Sequence, residues 1–190
     1  MENAIKILSE ERAFDRYFKV DKALISEKTS DTTSETYSRY KLTRPDAVAV
    51  LVYNEDTKKV TLVKQFRYPI AHRVSEYVLE VVAGKIDGDE NPKQSAVREV
   101  LEEVGYKITE DRLGEPIEIF ASPGYSTEVI YIFLVVVKNS DKDENSGGGL
   151  DTEHENIEIV EMDIKEFMSK INLNEIKDSK TIIASTLIKI

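Results

Sequence analysis

One segment limits the fold more than any other: residues 84–106, GKIDGDENPKQSAVREVLEEVGY. Asn91 is a good helix N-cap. Pro92 suits the first helical position, where a missing N–H costs nothing. Ala96, Val97, Val100, Leu101 and Val104 recur with helical period and form one apolar stripe. Gly105 is a natural terminator, because it adopts the left-handed backbone that closes a helix. The pattern predicts a helix between Asn91 and Gly105. At ~100° per residue, Glu99, Glu102 and Glu103 point away from the apolar stripe. Glu99 and Glu103 stack on one face, with Glu102 on its flank. Carboxylates this close repel one another, and a hard divalent cation relieves that repulsion. Arg98 stands one turn before Glu102 and can pair with it. A solvated acidic helix face shows the same pattern, so residues outside the helix must decide between the two readings.

The flanks read as strands. Residues 1–43 place Phe18, Val20, Tyr37, Tyr40 and Leu42 among polar residues in roughly alternating fashion. AVAVLVY (47–53) and VTLVKQFRY (60–68) enclose the turn-like NEDTKK and suggest a hairpin. SEYVLEVVAG (75–84) reads as another strand, as do 117–121, 129–137 and IEIVEM. KNSDKDENSGGGLDTEHEN (138–156) reads as a mobile polar loop, with glycines 147–149 as its hinge. Asp163 is placed to cap a helix through Ile171, and Asp178 to cap a last one. Strands, a helix, more strands and then helices make an α+β fold.

Composition excludes several classes. With 190 residues and 41% hydrophobic content, the chain suits one domain with a sizeable core. It has no cysteine, so disulfides and thiolate metal sites are out, and a cytoplasmic home is expected. No apolar run approaches the ~20 residues that span a bilayer, so no membrane role is expected. The mixed charges of the first dozen residues do not make a signal peptide. A net charge of −10 repels long polyanions, and no nucleic-acid polymer is expected as partner. A divalent ion and a few local cations can reverse that field inside one cleft. His72 and His154 lie at ligand spacing from no other His or Cys and read as surface residues.

Gly84, Glu90, Arg98, Glu99, Glu102, Glu103 and Gly105 stand at the fixed positions of the Nudix box, which the segment resembles throughout. Its last position departs, with Tyr106 in place of an aliphatic residue. The resemblance implies a Nudix α/β/α sandwich with a mixed sheet, preceded by an N-terminal β-rich extension. It implies magnesium, with manganese as a substitute. Glu99 and Glu103 look like the principal metal ligands, Glu102 like a ligand to a further metal, and the Ala83 carbonyl like one seen in the ADP-ribose branch. Gly84 is expected beside the substrate. Glu90 looks like a support that orients Arg98, and Arg98 in turn holds Glu102.

Beyond the box the chain resembles the ADP-ribose pyrophosphatase and GDP-mannose hydrolase branch, from about residue 5 to 188 and most weakly over 26–44. VKQFRYP looks like that branch's strand with a substrate-binding arginine, here Arg67. A guanidinium suits a pyrophosphate because it donates two parallel hydrogen bonds. ASPGYSTE resembles the branch's Ser-Pro-Gly turn, with Glu128 as a candidate for a sugar hydroxyl. The tail, GGGLDTEHENIEIVEM followed by NEIKDSKTIIA, resembles the GDP-mannose-cleaving members more. There a glutamate just before IEI acts as or assists the general base, which here is Glu155, with Glu153 second.

The implied activity is hydrolysis of a nucleoside diphosphate sugar, GDP-mannose ahead of ADP-ribose, to a nucleoside monophosphate and a sugar phosphate. Two other readings compete. A house-cleaning hydrolase of modified nucleoside triphosphates fits the box equally, but the long N-terminal segment and Ser-Pro-Gly turn argue against it. A non-catalytic nucleotide-sugar sensor tends to lose box carboxylates, which this chain keeps. Residues 1–43 are expected to form a dimerisation segment and 44–190 the Nudix domain, the whole as a homodimer. In the resembling branch this N-terminal region helps bind the base, and Tyr17, Phe18, Tyr37 and Tyr40 are candidates to stack on it.

Overall fold

β4 (Ala47–Asn54) is apolar on both faces, as a strand covered on both sides must be. Its even residues Val48, Val50 and Val52 enter one core cluster, and Ala49 and Leu51 enter another. This alternation is the period of an extended chain. The first cluster is closed by Ala96, Val100 and Val104 of α1 (Pro92–Val104). The second is closed by Phe167 of α2 (Ile164–Asn172) and Ala184 of α3 (Ser179–Ser185). The result is a sheet with a helical layer on each face, an α/β/α sandwich.

The computed structural model describes residues 4–30, 32–74, 77–149 and 157–188. The chain divides into two units, Met1–Asp46 with Phe120–Val129, and Ala47–Ile119 with Ile130–Ile190. The larger unit carries the sandwich. β5 (Lys59–Gln65), β8 (Ile117–Phe120), β9 (Val129–Val137) and β10 (Glu158–Asp163) join β4 in the order β10-β5-β4-β9-β8. β4 and β9 run parallel, and the pairs β4–β5 and β5–β10 run antiparallel, so the sheet is mixed.

The run 75–84 is two strands and not one. β6 (Val78–Glu80) pairs with β5, and β7 (Val82–Lys85) pairs with β4. β4 therefore divides its one edge. Residues 47–50 bond to β7 and residues 52–54 to β5. Val81 is the crossing point between the two pairings. This split brings β7 against α1.

The smaller unit is an antiparallel meander of β1 (Ile5–Asp15), β2 (Lys19–Lys28) and β3 (Ser34–Thr43). Its one buried residue among those described is Asp21, held by Arg12 and by Thr43 Oγ1 at 2.8 Å. The Arg12 guanidinium, then the Thr43 hydroxyl, hold the Asp21 carboxyl below its ordinary value. Among the described residues no helix is long and apolar enough to cross a membrane.

Candidate active site

α1 begins with a complete capping box. Asn91 accepts from the amides of Lys93 (2.8 Å) and Gln94 (3.0 Å), and Gln94 Oε1 accepts from Asn91 N at 2.9 Å. It ends on Gly105 at φ 69°, where Gly105 N donates to Leu101 O (3.0 Å) and Tyr106 N to Val100 O (3.3 Å). Three further carbonyls of the last turn are met from residues 142–149. Gly149 N donates to Glu102 O (3.1 Å), Gly148 N to Glu103 O (2.9 Å), and Lys142 Nζ to Val104 O (2.7 Å). Glycines 147–149 were expected as a hinge. They instead hold φ values of 102°, 97° and 84°, a left-handed region that lets consecutive amides face the helix end. The described part of the supposedly mobile loop is therefore fastened to α1.

The helix is also turned from the expected orientation. Ala96, Val100 and Val104 are fully buried, but the carboxylate-bearing Glu99 and Glu103 are buried too, at 8% and 1% exposure. Leu101 is only half-buried. The Glu99/Glu103 row faces β7 and not solvent. Gly84 makes this possible: a Cβ there would fall inside the envelope of the Glu99 carboxylate. Ala83 N donates to Glu103 Oε2 at 3.0 Å, so the β7 backbone orients the second acid.

Arg98 binds these groups together. Its Nη1 donates to Glu99 Oε1 (2.7 Å) and Glu102 Oε2 (3.1 Å), its Nη2 to Lys85 O (3.0 Å), and its Nε and Nη2 reach Glu90 at 3.1–3.3 Å. Burial alone would lower the Arg98 guanidinium, but Glu90, Glu99 and Glu102 raise it above its ordinary value. The Arg98 hydrogen bonds, then that from Ser95, hold the Glu90 carboxyl at about 2. Glu90 is thus a fixed anion behind Arg98.

These acids suit a hard cation in kind: oxygen donors on one helix face, next to a backbone carbonyl strand. Among the described residues no three acidic or imidazole groups close into a ready cage. Magnesium fits such a set, since it usually takes one or two protein carboxylates and completes its shell with water and substrate phosphate.

Arg67 precedes the 3-10 turn Tyr68–Ile70. Its Nε and Nη2 donate to Glu80 Oε1 (3.0 Å) and Oε2 (2.8 Å). Burial lowers the Arg67 guanidinium, but Glu80 and then the fields of Glu103 and Asp178 raise it overall. Glu80 escaped the sequence reading. Its signal was a lone acid in step with Val78 and Val82 in an otherwise apolar run.

Glu128 belongs to the smaller unit, where Arg44 Nη2 lies 3.5 Å from its Oε1 and Thr127 Oγ1 ties to the Arg44 backbone. In the same unit Tyr17 and Tyr40 are exposed, whereas Tyr37 donates to Glu27 at 2.6 Å and lies under Arg39. His72 is exposed. Glu153, Glu155 and His154 lie outside the described residues.

Known proteins match this chain over nearly its whole length. The NUDIX domain model covers residues 43–182. A GDP-mannose pyrophosphatase of Escherichia coli (strain SMS-3-5 / SECEC) is 30% identical over 185 residues, covering 96% of this chain and 94% of that protein. One from Citrobacter koseri is 30% identical over 190 residues, with the same coverage. A crystal structure of an ADP compounds hydrolase shares the fold, with a TM-score of 0.72 and 22% identity over 96% of this chain and 91% of that one. With the box residues gathered where β7 meets α1 and the family model spanning most of the sequence, this chain belongs to the Nudix family.

Proposed function

We propose that the chain hydrolyses the pyrophosphate bond of a nucleoside diphosphate sugar, GDP-mannose ahead of ADP-ribose, to a nucleoside monophosphate and a sugar phosphate. The observation that carries the reading is the placement of the box acids, with Glu99 and Glu103 buried against Gly84 and the Ala83 backbone of β7. The end-to-end match to relatives named GDP-mannose pyrophosphatase supports the substrate class.

Glu99, Glu102, Glu103 and the Ala83 carbonyl would hold magnesium, or manganese in its place. A divalent ion supplies neutralisation of the pyrophosphate charge and a lowered pKa for the attacking water. Arg98 keeps Glu102 and Glu99 in register. Arg67 steadies a phosphate through parallel N–H donors. Glu155 takes the proton of the attacking water, with Glu153 second in line. The water oxygen bonds to one phosphorus as the bond from that phosphorus to the bridging oxygen breaks. The second phosphate leaves with that oxygen, and no covalent intermediate forms. Glu128 bonds the sugar. A chain without cysteine suits a cytoplasmic setting.

Steady-state kinetics with magnesium on GDP-mannose, ADP-ribose, other nucleotide sugars and deoxynucleoside triphosphates tests the proposal. GDP-mannose should give the largest kcat/KM, and excess EDTA should abolish turnover. Glu103→Gln should lower kcat by at least ~100-fold. Glu155→Gln should lower kcat with little change in KM, since a base acts in the transition state. A triphosphate turned over faster than both sugars refutes the substrate class. Loss of kcat in Glu153→Gln but not in Glu155→Gln moves the base to Glu153.

A further inference from the structure

Glu80 is an acid at 4% exposure in a strand of apolar neighbours. Such a group is tolerated inside a protein only when its charge is met. Arg67 meets it through two parallel hydrogen bonds, 3.0 and 2.8 Å. Lys180 Nζ stands 3.5 Å from Glu80 Oε2 and 2.7 Å from Asp178 Oδ1. Asp178 caps α3 through Thr181 N at 2.9 Å and accepts from the Thr181 hydroxyl at 2.7 Å. That hydroxyl oxygen in turn accepts from Val81 N at 2.9 Å. The Glu80 side chain and the next backbone amide are thus both fastened to the first turn of α3.

A guanidinium carries five N–H donors in a rigid plane. Glu80 uses two of them, on the Nε–Nη2 edge. The Nη1–Nη2 edge keeps a second parallel pair, and Glu80 is the one hydrogen-bond partner of the Arg67 guanidinium among the described residues. The Arg67 side chain remains 39% exposed.

We propose that Glu80, itself set by Lys180 and the α3 cap, is a positioning residue that presents the Nη1–Nη2 edge of Arg67 to a substrate phosphate. This rests on the proposed pyrophosphate hydrolysis. The rotamer freedom of Arg67 is lost on folding and not on binding, which is how preorganisation raises affinity. The group acts through Arg67 and touches no reacting atom.

A double-mutant cycle tests it. Glu80→Gln should raise KM for the nucleoside diphosphate sugar about 10-fold while kcat changes less than about 3-fold. In an Arg67→Ala background the same change should add less than about 2-fold. Glu80→Asp keeps the charge but withdraws it by one methylene. It should fall between wild type and Glu80→Gln, and it stands in if Glu80→Gln does not fold. Calorimetry with inorganic pyrophosphate and magnesium reads binding without turnover, and Kd should follow the same pattern. Equal factors in both backgrounds, or an unchanged KM and Kd, overturn the role of Glu80. Wild-type protein that binds pyrophosphate with the expected cycle but cleaves no nucleotide sugar overturns the proposed function and leaves this inference standing.

Discussion

Gly84 owes its place to what lies against it. The Glu99 carboxylate fills the space that any side chain at 84 would take. Gly84→Ala must push Glu99 aside or move β7, and either misplaces an acid proposed to hold the cation. We expect kcat/KM to fall about 10–100-fold, the range seen when support around a metal ligand is lost. Kinetics beside a thermal melt check this, and a fully active Gly84→Ala protein with an unshifted midpoint would contradict it. At this scale the sequence was informative where chemistry sits in neighbouring residues. The Arg98–Glu102 pair follows from helical spacing and is present at 3.1 Å. The burial of Glu99 and Glu103 was not legible, because it depends on a glycine in a strand brought in by tertiary pairing. Nor was the Arg67–Glu80 pair, which needs β5 and β6 to pair first.

The end of α1 shows how an element is finished by a distant part of the chain. A helix leaves its last carbonyls without internal donors, and they carry its negative pole. Here the donors are the amides of Gly148 and Gly149 and the ammonium of Lys142, which also lies 4.7 Å from the centre of the Tyr106 ring. The aromatic at the box's last position is therefore a platform for a cation, with its hydroxyl accepting from Asn54 Nδ2 at 3.3 Å. Lys142→Met should cost about 1–2 kcal/mol, from the carbonyl bond and the ring contact together. That corresponds to a fall of roughly 2–8 °C in Tm for a chain of this size. Calorimetry showing no fall would mean that water replaces the ammonium without loss. The helix, its Asn91 cap, its Gly105 stop and the Asp163 and Asp178 caps were readable, since each is written in a few adjacent residues. The fastening of 142–149 was not, because backbone amides leave no trace in residue identity. Three glycines read equally well as freedom and as a fixed left-handed turn.

The molecule as a whole joins a well-packed sandwich to a meander that buries almost nothing of its own. β1 is exposed along all its residues, and Ile5, Ile7, Leu8 and Phe14 are each at least half exposed. A strand with this much open apolar surface invites another chain. We expect residues 1–43 to build a homodimer, with 44–190 as the catalytic domain. Light scattering at micromolar concentration should give twice the 21.6 kDa chain mass. A monomeric mass there, unchanged when Ile7 and Phe14 are replaced by serine, would refute the dimer. Ile157 N donates to Gly148 O at 3.4 Å, and Gly148 N donates to Glu103 O at 2.9 Å, so one glycine ties the end of α1 to the residue that leads into β10. Loosening that glycine would free the helix end and the approach to the strand in a single opening.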